Sequence, residues 1–290
     1  MGLLSRIGVV DLTTIRPGRA ALHVFIIAGC LIMVYPLLWM LSSSFKFNTE
    51  IFSNTTLWIN DFTIDNYIQG WKGVSGVTFG TFFLNTFYIV GMSIIGTLLS
   101  CSMAAYAFAR LNFTMKKALF AIMLVTLMLP FHVTVIPQYI VFNKLGWIDT
   151  TLPLILPKFF AVEGFFIFLI VQFIRSLPRE LDQAAEIDGC GPIMKYIYLI
   201  MPLAMPALVT SMIFTFIWTW NDFFSQLLYL STLSKYTVAL GLRMFTDSTG
   251  QNSWGAMFAM SLLSLVPLFA VFIFFQRYLI EGIASGGIKG

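Results

Sequence analysis

Five stretches of this chain, 20–45, 73–109, 118–143, 196–221 and 248–276, each run for at least 26 residues without an Asp, Glu, Lys or Arg. A helix that crosses a bilayer needs about 20 mostly apolar residues, and its backbone polar groups must be satisfied within the segment itself. Each of the five is therefore a predicted span. A sixth stretch, 159–174, is shorter and contains Glu163, but with the apolar 152–157 before it spanning length is reached. Run 73–109 is longer than a bilayer requires, so its first residues are expected outside the hydrocarbon. The first run exceeds the roughly 7–15 residues of a signal-peptide core and is expected to stay as a span.

Composition agrees. Of 290 residues, 58% are hydrophobic and 10% charged, against about 25% charged in a soluble domain, and mean hydropathy is +0.86. Too few polar side chains exist to cover a water-facing surface, which excludes a soluble enzyme, a disordered chain and a nucleic-acid binder. The expected fold class is an all-α integral membrane protein with six transmembrane helices. The formal net charge of +4 then reads as topology. Eleven Lys and Arg fall on the side of the termini and six on the other, so the positive-inside rule predicts both termini in the cytoplasm. The expected division is a cytoplasmic segment 1–19, a transmembrane domain 20–278 with a cytoplasmic loop at 175–201, and a cytoplasmic tail 279–290. Cys30, Cys101 and Cys190 are far apart and odd in number, so neither a disulfide framework nor a metal cluster is expected.

The loop after the fourth span has the marks of a short capped helix. Ser176 is expected to cap it and Pro178 to sit in its first turn. Glu180 and Asp182 complement the positive end of the helix dipole. Gly189, followed by Cys190, Gly191 and Pro192, ends it after about three turns. Leu181, Ala184, Ala185 and Asp188 then share one face, an i, i+3, i+4, i+7 stripe. Its two alanines keep that face thin. A helix lying on a membrane shows large apolar residues opposite a basic face; this one is acidic with alanines, so docking in a groove of another protein is the better reading. Pro202 and Pro206 fix a bend where the chain re-enters the membrane.

The run Gln183-Ala184-Ala185, three residues, Gly189, nine residues, then Leu199-Ile200-Met201-Pro202 resembles the loop signature of binding-protein-dependent ABC importer permeases, E-A-A-x3-G-x9-I-x-L-P. Gln183 stands where that family usually has Glu. Asn85-Thr86 opening the second helix, Ala104 to Arg110 closing it, Leu129-Pro130, Trp220-Asn221-Asp222-Phe223 and the ending Gly286-Gly287-Ile288-Lys289-Gly290 are similar to the maltose-type sugar permeases, in their six-helix subunit with a glycine-rich tail. The resemblance covers roughly 79–290. It implies a subunit of an oligosaccharide importer in the bacterial inner membrane. Leu181, Gln183, Ala184, Ala185, Asp188, Gly189 and Pro202 would couple it to an ATPase; Gly286, Gly287, Lys289 and Gly290 would reach the ATPase dimer interface. The implied partners are a second homologous permease of different sequence, two ATP-binding cassette subunits, an extracytoplasmic sugar-binding protein and the surrounding lipid.

No catalytic motif is present. There is no G-x-x-x-x-G-K-[ST] phosphate loop and no G-x-S-x-G turn, and His23 and His132 are the only histidines. The chain is expected to be non-enzymatic and to bind no metal or cofactor, with ATP and Mg held by the partner. Intramembrane charges are default functional candidates. Lys158 and Glu163 are five residues apart, about 140° around a continuous helix, and so are not expected to pair. Lys158 is placed near the outer end of the fourth span, where it can snorkel; facing the path instead, it would suit an acidic sugar. Trp220, Asn221 and Asp222 end the fifth span at the outer mouth and are, with Lys158, the candidate path residues. Neutral maltodextrins and acidic oligosaccharides such as alginate fragments both remain open. The rival reading, a secondary sugar transporter driven by an ion gradient, needs a membrane-embedded acid, for which Glu163 is the candidate.

Overall fold

The computed structural model describes the backbone of residues 17–247 and 253–287 and the side chains of 21–246 and 253–277. Among the described residues the fold is all-helical, with a lone bridge at Val74 and Val77 as its sole β-type pairing. The main helices are α1 (Pro17–Ser43), α2 (Asp65–Lys72), α3 (Phe79–Arg110), α4 (Lys116–Thr126), α5 (Phe131–Lys144), α6 (Gly164–Ser176), α7 (Glu180–Ile187), α8 (Met205–Asn221), α9 (Val238–Asp247) and α10 (Trp254–Gly287).

Four described helical segments are long and apolar enough to cross a membrane, or six if each of two bent pairs is one span. The pair α4 and α5 bends by 101° at Leu129-Pro130, since proline lacks an N–H and its predecessor avoids the α region. The second pair, Pro192–Leu203 and α8, bends by 75° between Pro202 and Pro206.

Helix α3 is the axis of the bundle. Its buried side includes Ser93, Gly96, Thr97, Cys101, Ala105 and Ala109, small residues that let neighbouring backbones come close where lipid supplies no hydrophobic drive between helices. Gly96 shows why: a Cβ there would lie 2.7 Å from the ring of Phe159. Around this stripe Phe166, Ile170 and Ile174 of α6 and Ile200, Ala204 and Ala207 before and within α8 complete the largest core cluster. Asn85 and Thr86, expected to open the second helix, lie inside it, because α3 begins at Phe79. There they staple the loop that leads into α9: Asn85 Nδ2 donates to the carbonyls of Ser234 and Tyr236, and Val238 N donates to Thr86 Oγ1.

Just beyond the C-terminal end of α1, Lys46 is completely buried, its ammonium donating to the carbonyls of Asn54 and Thr56. The charge is satisfied by backbone rather than by water, as burial demands. Above that point α1 is bare. No residue in its most apolar window is buried, and Trp39 meets Phe258 of α10 at 5.4 Å.

Candidate functional site

The break in the fourth span builds the first candidate site. Pro153 and Pro157 interrupt α-helical bonding; the chain passes through a single-turn helix, a tight 3-10 turn (Leu156–Phe160) and a left-handed Ala161 with φ of 54° before α6 begins. This irregular stretch folds Lys158 back onto Glu163, and the two form an ion pair, correcting the expectation drawn from a continuous helix. Ser100 Oγ of α3 donates to the Lys158 carbonyl at 2.7 Å, which fixes the turn against the bundle axis.

The pair lines a cavity of about 480 Å³ together with Trp218, Asn221, Asp222 and Gln226. A second cavity, of about 590 Å³, shares Lys158, Glu163 and Asp222 and extends along Gln138 and Trp147. Asp222 Oδ1 accepts from Ser225 N at 3.0 Å, and Asn221 Nδ2 donates to Ile217 O. Of the four path residues named from the sequence, Lys158, Asn221 and Asp222 thus meet around one space. Trp220 does not. It is buried, stacked on Phe216 at 5.4 Å and against Phe87 at 5.0 Å. It belongs to the stripe Val209, Ile213, Phe216, Trp220 that α8 turns to the core, at spacings of four, three and four. Trp218, two residues earlier, lies on the cavity side instead. That stripe was the signal in the sequence that separates the two tryptophans.

The second candidate site is α7. It has eight residues, just over two turns, and is shorter than expected. Leu177 precedes a proline and is extended, so Ser176 closes α6 instead, its hydroxyl donating to Phe173 O. The C-terminal reading is met in detail. Gly189 has φ of 78°, Gly189 N donates to Glu186 O, and Cys190 N donates to Ala185 O, the two bonds of a Schellman end.

Two ion pairs hold this helix to the bundle. Arg110, the last residue of α3, lies 3.1 Å from Asp182 and donates to Leu177 O at 2.9 Å. Lys195 donates to Glu186 at 2.6 Å. Tyr106 Oη then donates to Pro192 O, and Ser102 and Tyr196 share a hydroxyl bond. None of these tethers was named from the sequence. Leu181, Gln183, Ala184 and Asp188 are exposed and Ala185 is half-buried, so the thin face stands free beside Ile187, which is 87% exposed. Pro202 lies at the bend below α8. Gly286 and Gly287 end α10, whereas Lys289 and Gly290 lie outside the described residues.

On the other face of the molecule Asp149 clamps two loops. Its carboxylate accepts from Ser231 N, Thr232 N and Thr232 Oγ1 and pairs with Lys235 at 2.8 Å. Lys235 foremost, then Thr232 and Ser231, hold its carboxyl well below the ordinary carboxylate range. A depressed folded value means that the clamp's contribution is complete above the unfolded value of about 4 and fades only as pH falls through the folded one. The gap in thermal stability between wild type and Asp149→Asn is therefore expected to stay constant from pH 5 to pH 8 and to close only below about pH 4. A gap that changed between pH 5 and pH 8 would place the titration elsewhere.

An all-helical bundle with long apolar segments, a cavity along it that holds an ion pair, a further carboxylate and an indole, and a clipped short helix suit a transport subunit. Residues 96–285 match the family of binding-protein-dependent transport system inner membrane components, and the chain belongs to it. It is 33% identical to the arabinooligosaccharides transport system permease protein AraQ of Halalkalibacterium halodurans, over 89% of this chain and 92% of that one. It is 31% identical to the probable ABC transporter permease protein YurM of Bacillus subtilis, over 94% and 89%. A solved bacterial ABC transporter involved in importing the acidic polysaccharide alginate superposes with a TM-score of 0.80 at 20% identity, covering 89% of this chain and 95% of that one. The protein is thus a multi-pass, non-catalytic permease of an ABC transporter with the permease fold.

Proposed function

We propose that this chain is one permease of an ATP-driven importer of oligosaccharides in the bacterial inner membrane. It spans six times with both termini in the cytoplasm, as the eleven-to-six split of basic residues supports. A second homologous permease of different sequence supplies the other half of the path, two ATP-binding cassette subunits bind ATP and Mg, and an extracytoplasmic binding protein delivers the sugar. No cofactor binds to this chain. The relatives support the sugar: one carries arabinooligosaccharides in its name and another, from Thermococcus litoralis, trehalose and maltose.

The observation that carries the reading is α7. Its face of Leu181, Gln183, Ala184 and Asp188 is uncovered, while its other side is pinned by Arg110 and Lys195. A helix seated in an ATPase groove by that face would pass its movement to α3 through Arg110 and to α8 through the Pro202 bend. Ten residues of α3, about 15 Å of helix, separate Arg110 from Ser100 beneath the Lys158 turn. Differential affinity of ATP for two conformations then drives the cycle. The family resemblance would bring the tail residues Gly286, Gly287, Lys289 and Gly290 to the ATPase dimer interface.

Co-expression with the neighbouring transport genes, purification through this chain and reconstitution in liposomes test the assignment. ATPase subunits are expected to co-purify, with hydrolysis stimulated by sugar-loaded binding protein. Purification of this chain with no ATPase bound would overturn it.

A further inference from the structure

The cavity has a charge pattern that sorts sugars. Among the described residues Lys158 is the only cationic side chain lining either cavity, and its ammonium is already taken by Glu163. The remaining charge on the walls is Asp222, whose carboxylate meets a backbone N–H of its own turn. The local balance is one cation against two carboxylates. Around them stand a half-exposed Trp218, the exposed amide of Asn221, and the hydroxyls of Thr219 and Ser225; the Gln226 amide is buried and already bonded to Thr219 and Thr237.

We propose that this half of the path selects uncharged oligosaccharides and turns away uronic-acid sugars, with Glu163 serving as the specificity-determining residue that occupies Lys158. The inference rests on the importer reading and deepens it. A neutral sugar presents hydroxyls, which the Asn221 amide and a carboxylate can bond, and C–H faces that lie well on an indole ring. A uronate brings a carboxylate of its own. Here it meets Asp222 at like charge and finds Lys158 engaged, so it loses its hydration without gaining a partner. The alginate importer of the same fold carries an acidic polysaccharide; this chain shares its backbone plan while its cavity holds no unengaged cation among the described residues.

Replacing Glu163 with Gln leaves the ammonium without its counter-charge while keeping the side chain's size. Replacing Lys158 with Gln removes the cation altogether. The purified complex in proteoliposomes, with its binding protein present in excess, would be assayed with neutral maltooligosaccharides and with oligomers of mannuronate and guluronate. Wild type is expected to take up the neutral series and to exclude the uronates. Glu163→Gln is expected to shift the uptake ratio toward uronates by roughly tenfold or more, the usual scale for one close charge pair, and Lys158→Gln is expected not to shift it that way. Both variants are compared only after co-purification with the ATPase shows that they assemble. Uronate uptake by wild type at rates matching the neutral series would overturn the charge inference and leave the importer reading standing. An unchanged ratio in an assembled Glu163→Gln complex would overturn Glu163 as its cause. Uptake of neither series by wild type would sink the importer reading and this inference together.

Discussion

Replacing Arg110 with Met is expected to abolish sugar-stimulated ATP hydrolysis and uptake, although the residue touches neither the cavity nor the exposed face of α7. The Arg110 side chain is 6% exposed and its partner Asp182 16%. Removing the guanidinium strands a shielded carboxylate and the carbonyl of Leu177. Breaking a buried pair from one side costs about 3–5 kcal/mol, and the residual exposure of Asp182 puts this case toward the lower end. Among the described residues this is the ion pair that joins the first turn of α7 to α3. Its second turn keeps the Glu186 to Lys195 bond, so the helix is expected to swing about that end. Asp182→Asn leaves an acceptor for Arg110 and is expected to be several-fold milder. The double variant Arg110→Met with Asp182→Leu removes the stranded charge and is expected to recover stability without coupling. Wild-type hydrolysis in Arg110→Met would show that the tether carries no coupling.

The second large effect falls on Gly189. A Cβ at this position would meet nothing within 4 Å, yet φ is 78°, so a substitution acts through the backbone alone. The left-handed conformation costs an L residue about 1–2 kcal/mol, and a β-branched side chain is a pronounced outlier there. In a helix of eight residues that cost is large enough to open the Schellman end and release the carbonyls of Ala185 and Glu186. Coupling is expected to fall in the order Gly, Asn, Ala, Val, with Asn closest to wild type because it tolerates this region. Gly189→Val is expected to lose stimulated hydrolysis by at least about tenfold, the consequence of some 1.4 kcal/mol, while the complex still assembles. A Val variant as active as the Asn variant would show that the helix end needs no left-handed residue.

These two residues also mark what the sequence could and could not disclose. Gly189 was legible because a glycine after an amphipathic run, with a proline soon after, has one common use. The apolar segments were legible for a similar reason, since charge-free runs longer than a bilayer leave little choice; four of them form helices of spanning length, and six do if each bent pair is one span. Arg110 was visible only as a topology cation. Its partner is 72 positions away, and no periodicity links the end of one span to a loop two spans later. The Lys158 pair was missed through a false premise, a continuous helix across Pro153 and Pro157; the prolines and Gly164 were the available warning. Trp220 was misplaced because a local motif was read without the stripe of Val209, Ile213 and Phe216 that carries it inward. Asn221 and Asp222, read from the same motif, do line the cavity.

The central claim is that ATP, through α7, drives sugar along the cavity. It is tested most directly by measuring uptake of a labelled neutral oligosaccharide into proteoliposomes holding the complete complex. Binding protein stands on the side where sugar is added, and either ATP is enclosed or an ion gradient is imposed without it. Uptake with enclosed ATP and no imposed gradient, lost in Gly189→Val, is the predicted result. Uptake that follows a proton or sodium gradient with no ATP inside would contradict it, and would make Glu163 and Lys158 the ion site to examine.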